Sequence, residues 1–187
     1  GALRAGAGYA LCAIPESIVS ALATLIPEAV SLPLTETRDH TIAHSSLRLI
    51  GDALDGAQAC VVGPGLRMGS ESTLLVRDLA RMIAVRGIAA VYDADALNAL
   101  ASLPERPPVA GCIFTPHPKE LTRLLGVTVE EVQKDRIAAA KRAANEFESV
   151  IVLKGAHTII AEPEGAVYIN PTGCSALATA GTGNILA

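Results

Sequence analysis

Five segments of this sequence carry residue types and spacings that could do chemistry. The first is Ala180-Gly181-Thr182-Gly183-Asn184, which sets two glycines around a threonine just ahead of the apolar Ile185 and Leu186. Glycines let a backbone come close to a ligand, and free amides at a helix start offer hydrogen bonds and a positive dipole end to a phosphate. The run reads either as an anion cradle or as a glycine turn capping a buried helix. The second segment is VLKGAHTII at 152–160, where Lys154 and Gly155 follow an apolar run and Thr158 stands close by. Gly155 and Thr158 would let a nucleotide's phosphate or base lie against the backbone, whereas Lys154 alone could equally be a surface residue snorkelling to solvent.

The third segment, FTPHPKE at 114–120, holds His117 between two prolines and puts Glu120 in the first turn of a helix. A stiff loop with a histidine and a carboxylate suits substrate binding or a metal contact through water, and the bland alternative is a helix-start charge that matches the macrodipole. GPGLRMG at 63–69 is a glycine-rich loop, and YDADALNAL at 92–100 carries Asp93 and Asp95. Paired carboxylates can hold Mg²⁺, but capping the next helix is the commoner use and is the reading taken for these two.

Such residues need elements to position them. Residues 1–7 read as the tail of a helix, 8–14 as a short buried strand, 17–26 as helical, 29–34 as a strand and 45–54 as a helix, with 36–44 the least readable part. A buried strand at 57–62 runs into the 63–69 loop, and Ser70 opens a long helix with Leu74, Leu75, Leu79, Met82 and Ile83 on its apolar side. Strands follow at 88–92 and 111–114, with a helix between them and another at 119–125 closed by Gly126; 130–147 reads as one amphipathic helix. Short strands at 150–153, 157–161 and 166–169, turned at Gly155 and Gly165, complete the pattern.

Strands alternating with helices predict a mostly parallel sheet covered on both faces, and the close-spaced last strands predict antiparallel edge strands. In such sheets ligands bind at the carboxyl ends of the strands, which is where all five segments fall.

Composition narrows the class. The 187 residues suffice for a single domain, 1–187, and half of them are hydrophobic but only 3% aromatic, so Ala, Val, Leu and Ile must fill the core. A net charge of -4 without a basic cluster gives no footprint for nucleic acid or an anionic membrane. Cys12, Cys60, Cys112 and Cys174 form no CxxC pair and read as small core residues in a reducing cytoplasm. No 18-residue apolar run and no signal-like start occurs, which predicts a soluble, cytoplasmic protein.

Taken in order, GPG, DADALN, TPHPKE, LKGAHT and TAGTGN, together with the opening ALRAGAGY, resemble the ADP- or ATP-dependent NAD(P)H-hydrate dehydratase family. Its corresponding segments run roughly GPGLG, DADALN, TPHPGE, LKGAxT and ATAGTGD, and the pair DADALN with TPHPKE separates it from sugar kinases of similar fold. The resemblance implies a ribokinase-like three-layer α/β/α sandwich. It implies repair of hydrated NADH or NADPH (NADHX, NADPHX), in which cleavage of ADP to AMP and phosphate drives removal of water. ADP rather than ATP is the expectation.

Carried over, Lys154, Gly155, Ala156, His157, Thr158, Gly181, Thr182 and Gly183 would contact the adenine nucleotide, and Gly65, His117 and Asn184 the hydrated dinucleotide. Mg²⁺ would travel with the phosphates, with Glu120 in its outer shell and no protein metal site of its own. A homotetramer is expected.

The sequence departs from that family at three places. Asn184 stands where the family has the aspartate that takes a proton from the substrate hydroxyl, and an amide cannot accept one at neutral pH. Arg67 and Met68 precede Gly69 where the family reads GPGLG. The resemblance also implies a chain incomplete at both ends, or a shortened homologue. Two other readings stand beside the dehydratase: a kinase of a small vitamin-precursor alcohol, and a catalytically silent nucleotide-binding protein with Asn184 at the catalytic position.

Overall fold

Short apolar runs alternate with longer stretches of helical spacing, and most become the element their period favours. The computed structural model describes residues 1–177, 179 and 181–186. In chain order the elements are β1 (Leu11–Pro15), α1 (Val19–Leu25), β2 (Val30–Leu34), α2 (Leu47–Leu54), β3 (Ala59–Val62), α3 (Ser70–Arg86), β4 (Ala89–Tyr92) and α4 (Asp95–Ser102). There follow β5 (Ile113–Phe114), α5 (Pro118–Leu125), α6 (Val129–Lys134), α7 (Arg136–Phe147), β6 (Val150–Leu153), β7 (Ile159–Ala161), β8 (Val167–Ile169) and α8 (Thr182–Leu186). Short 3₁₀ turns at Ala2–Ala5, Glu16–Ile18 and His44–Ser46 replace the helix tail and helix starts expected there.

The main sheet has the order β3-β4-β5-β6-β7-β8. Strands β3 to β6 pair in parallel, and β7 and β8 add antiparallel at the edge, as the spacing of the last strands predicts. Strands β1 and β2 form a separate parallel pair.

Register decides which side chains meet the helices. Val62, Tyr92, Phe114 and Ile151 share one face and are buried against Val76, Leu79 and Ile83 of α3, Leu97 of α4, Leu121 of α5 and the alanines of α7. Ala140, Ala143 and Ala144 let α7 lie close to the sheet, and the three buried aromatics fill what alanine leaves: Tyr92 meets Phe114 edge-on at 5.5 Å and Phe114 meets Phe147 at 5.2 Å. On the other face Val61 and Ile113 are exposed.

Three expectations change. The single helix at 130–147 is two, because each half carries its own start signal. Thr128 and Glu131 make a reciprocal capping box for α6, and Asp135, in extended backbone, accepts the Ala138 N–H to open α7. The four thiols are not all in the core: Cys112 is buried, Cys12 and Cys60 are half-buried, and Cys174 is exposed in the loop after β8. Burial pushes the Cys60 thiol up to about 11 and raises that of Cys112 as well, so both stay protonated. Helix α3 opens at Ser70 as expected, behind Gly69 at the cap position, but Leu74 is exposed while Leu75 and Val76 face inward.

Ion pairs fasten the first third of the chain. His44 Nε2 lies 2.9 Å from Asp78 Oδ2, and Arg77 donates to both oxygens of Asp78. Those hydrogen bonds, Arg77 first and then His44, hold the Asp78 carboxyl down to about 2, and Ser17 followed by His40 does the same for Glu36. A carboxyl with a lowered folded-state pKa contributes stability that is present above its ordinary range, about 4, and is lost as pH falls through its folded value. The melting temperature should therefore drop between pH 4 and pH 2, and Asp78→Asn should flatten that drop in a calorimetric series. An equal drop in the variant would remove Asp78 as its source.

Candidate functional site

The parallel register brings three strand ends to one edge of the sheet. Strand β4 runs into Asp93, β5 into Thr115 and β6 into Lys154. Asp93 is 1% exposed. Its Oδ1 accepts the Thr115 hydroxyl at 2.7 Å and the Lys154 ammonium at 2.7 Å. A carboxylate so deeply desolvated persists because a cation and a donor meet it together. The Lys154 N–H also donates to Pro116 O at 2.8 Å, tying β6 to the proline loop.

That loop behaves as its two prolines suggest. Pro118 takes the first position of α5, His117 Nδ1 accepts the Glu120 N–H at 3.2 Å, and the His117 N–H donates to Glu120 Oε2 at 2.8 Å. Glu120 is consequently buried and rigid, with Oε2 3.9 Å from Lys154 Nζ. The His117 ring remains half-exposed.

Gly63 joins the glycine loop to the DADALN segment. At its φ of 134° an added Cβ would lie 1.7 Å from the Asp93 carbonyl oxygen, so only glycine permits the approach. Beyond it Leu66 N–H returns to Gly63 O, and Arg67 N–H donates to Asp95 Oδ2 at 2.9 Å. Neither aspartate side chain caps α4, contrary to expectation. The cap position is Ala94, without a side-chain bond, while Asp93 is drawn to Lys154 and Asp95 to the Arg67 amide.

Backbone strain collects here as well: Ala94 has φ 49°, ψ −119° and Arg67 φ 57°, a region that suits glycine. Gly65, at φ 79°, is exposed with open space around it.

The last two segments meet at Lys154. A Cβ on Gly183 would stand 3.6 Å from Lys154 Nζ, so the first turn of α8 lies against the ammonium. Gly181 has φ 90°, and the hydroxyls of Thr179 and Thr182 are 3.1 Å apart. Asn184 is exposed in α8. Ala180, the first residue of the glycine run, and Ala187, the last of the sequence, lie outside the described residues.

In the other turn Gly155 has φ 144° and His157 φ 54°, the Thr158 hydroxyl donates to Gly155 O, and Ala156 and His157 are exposed. The structure thus gathers Lys154, Gly183, Glu120, His117 and Asp93, and leaves Gly65 and His157 on flanking loops. Sequence reasoning missed Thr115 as a partner of Asp93, though it sits inside the TPHPKE segment, and missed Arg136, whose bonds to the 153–156 backbone span 17 to 20 residues.

Among the described residues no three His, Cys, Asp or Glu side chains could jointly hold a metal ion. Among the described residues Asp93 and Glu120 provide the carboxylates beside Lys154. That donor set fits Mg²⁺ only in the manner in which phosphates supply most of its ligands. No helix among the described residues is long and apolar enough to cross a membrane.

The family model described as NAD(P)H-hydrate dehydratase matches residues 1–187. A bifunctional NAD(P)H-hydrate repair enzyme of Moorella thermoacetica is 40% identical over 189 residues, covering 99% of this chain and 35% of the relative. The crystal structure of an ADP/ATP-dependent NAD(P)H-hydrate dehydratase from Bacillus subtilis, co-crystallised with ATP and Mg²⁺, aligns at a TM-score of 0.78 and 35% identity, covering 99% of this chain and 61% of that one. A ribokinase-like superfamily protein from Enterococcus faecalis aligns at 0.83 with 22% identity over 99% of this chain and 60% of its own, a likeness of fold. The chain therefore spans about a third of the first relative's length and about three-fifths of the Bacillus chain.

Proposed function

The chain belongs to the NAD(P)H-hydrate dehydratase family, with a ribokinase-like α/β fold, and on that footing we propose that the whole protein removes water from hydrated NADH or NADPH while cleaving ADP to AMP and phosphate. The observation that carries the reading is the meeting of the Lys154 ammonium with the Gly183 turn at the carboxyl edge of the sheet. A cation beside a glycine turn is what the terminal phosphates of a nucleotide need.

In this reading Lys154, Gly155, Ala156, His157 and Thr158 line one side of the nucleotide, and Gly181, Thr182 and Gly183 the other. Gly65 and His117 face the hydrated ring, with Asn184 where a proton must leave its hydroxyl. The nucleotide's terminal phosphoryl group passes to that hydroxyl oxygen as its bond to AMP breaks, and phosphate then departs with the C–O electron pair while the adjacent ring carbon gives up a proton to water and the ring double bond reforms. Mg²⁺ rides on the phosphates near Glu120. Residues 1–187 act as one domain, and the assembly is a homotetramer.

One observation favours a second reading. An exposed amide at Asn184 is a poor base, which fits a protein that binds adenine nucleotide without turnover.

The test incubates purified whole protein with hydrated NADH, Mg²⁺ and either ADP or ATP, following return of the reduced nicotinamide's absorbance together with release of phosphate. Recovery that depends on nucleotide is expected, faster with ADP. Phosphorylation of a vitamin-precursor alcohol with the hydrate left untouched would overturn the proposal in favour of a kinase.

A further inference from the structure

Arg136, the first residue of α7, reaches under the turn that follows β6. Its Nη1 donates to Ala156 O at 2.7 Å, and its Nη2 lies 3.4 Å from both Leu153 O and Lys154 O. A Cβ on Gly155 would stand 2.8 Å from Nη2, so the glycine leaves the space the guanidinium fills. The guanidinium Nε is buried without a partner among the described residues. A half-buried guanidinium that spends its donors on three backbone carbonyls and leaves its buried Nε unpaired contributes little to stability by itself.

The peptide bonds of this turn are trans, so a carbonyl turned toward Arg136 turns the following N–H away from it. The Lys154 N–H turned away in this manner is taken by Pro116 O. The amides of Gly155, Ala156 and His157 have no acceptor among the described residues. The carbonyls of Lys154 and Ala156 are the two that Arg136 holds next to free amides, so the N–H groups of Gly155 and His157 turn away from the guanidinium as donors that an anion could accept.

We propose that Arg136 is a positioning residue: by holding the carbonyls of Lys154 and Ala156 inward, it presets the amides of Gly155 and His157 as donors to a phosphate of the bound nucleotide. This rests on the nucleotide reading above. Arg136 does not touch the nucleotide, and its effect is on how tightly the nucleotide is held rather than on the rate once it is held.

The experiment uses the whole protein with Arg136→Met and Arg136→Lys, titrated with ADP and Mg²⁺ by calorimetry and assayed on hydrated NADH. Losing charge-assisted bonds that fix the turn should raise the Kd and KM for ADP by roughly 10- to 100-fold in Arg136→Met, with kcat at saturating ADP nearly unchanged. Arg136→Lys, a point charge without the planar fork, should fall between. Millimolar guanidinium ion should restore ADP affinity to Arg136→Met and leave the parent protein unaffected, a response that a general loss of folding would not give.

If Arg136→Met fails to fold, Arg136→Gln, which keeps a polar side chain but loses the charged fork, should give the same rise in KM. Parent protein that binds ADP while every folded variant binds it equally well overturns the role of Arg136 alone. Parent protein that binds no adenine nucleotide overturns both this inference and the nucleotide reading beneath it.

Discussion

Replacing Asn184 by aspartate is expected to raise the rate of hydrate dehydration by about 10²- to 10⁴-fold, the usual worth of a positioned general base. The residue follows Gly183, whose backbone lies against Lys154, so a carboxylate there would stand beside the phosphate-binding corner of the proposed site. Asparagine and aspartate have the same shape, and the exposed Asn184 makes no side-chain hydrogen bond among the described residues, so the exchange should leave stability within about 0.5 kcal/mol. The gain should appear in kcat with little change in the KM for ADP, because the proposed nucleotide contacts rest on Lys154 and backbone amides rather than on the side chain of residue 184. It should also rise with pH through the carboxyl range, since only the ionised form accepts a proton. A rate equal to the parent's would mean that residue 184 is not where the proton is taken. A gain of the expected size would mean that the nucleotide site is intact and that the amide at residue 184 is what limits the rate.

What could be read beforehand follows from the range over which each feature is encoded. The prolines around His117 and the glutamate after them dictate their own local geometry, so the capping box at α5 was foreseeable from seven consecutive residues. Gly63 and Gly155 were recognisable as special for the same reason, because a positive φ is a property of one residue. The parallel order of β3 to β6 follows from alternation, which is a pattern rather than a contact. Asp93 was misread because capping is a local habit of aspartate, while its actual partners, Thr115 and Lys154, lie 22 and 61 residues away. The same distance hid Arg136. The division of 130–147 was within reach, since Thr128-x-x-Glu131 is a helix-start signature, but continuous amphipathic spacing masked it.

Lys154→Met should act twice, and the two effects can be separated. In the parent, the buried Asp93 carboxylate is held by the ammonium and the Thr115 hydroxyl. Removing the cation leaves a charge that is almost fully desolvated with one neutral donor, which typically costs about 3–5 kcal/mol. Urea denaturation should register that loss as a lower midpoint with an unchanged slope. Adding Asp93→Asn to Lys154→Met removes the stranded charge, so the double variant should recover most of the lost stability. It should not recover nucleotide binding, because the ammonium beside the Gly183 turn is still absent. ADP affinity in the double variant is therefore the decisive measurement. Parent-like affinity there would assign Lys154 a purely structural duty to Asp93, whereas a stable protein blind to ADP places the lysine in the nucleotide site on grounds that folding cannot explain.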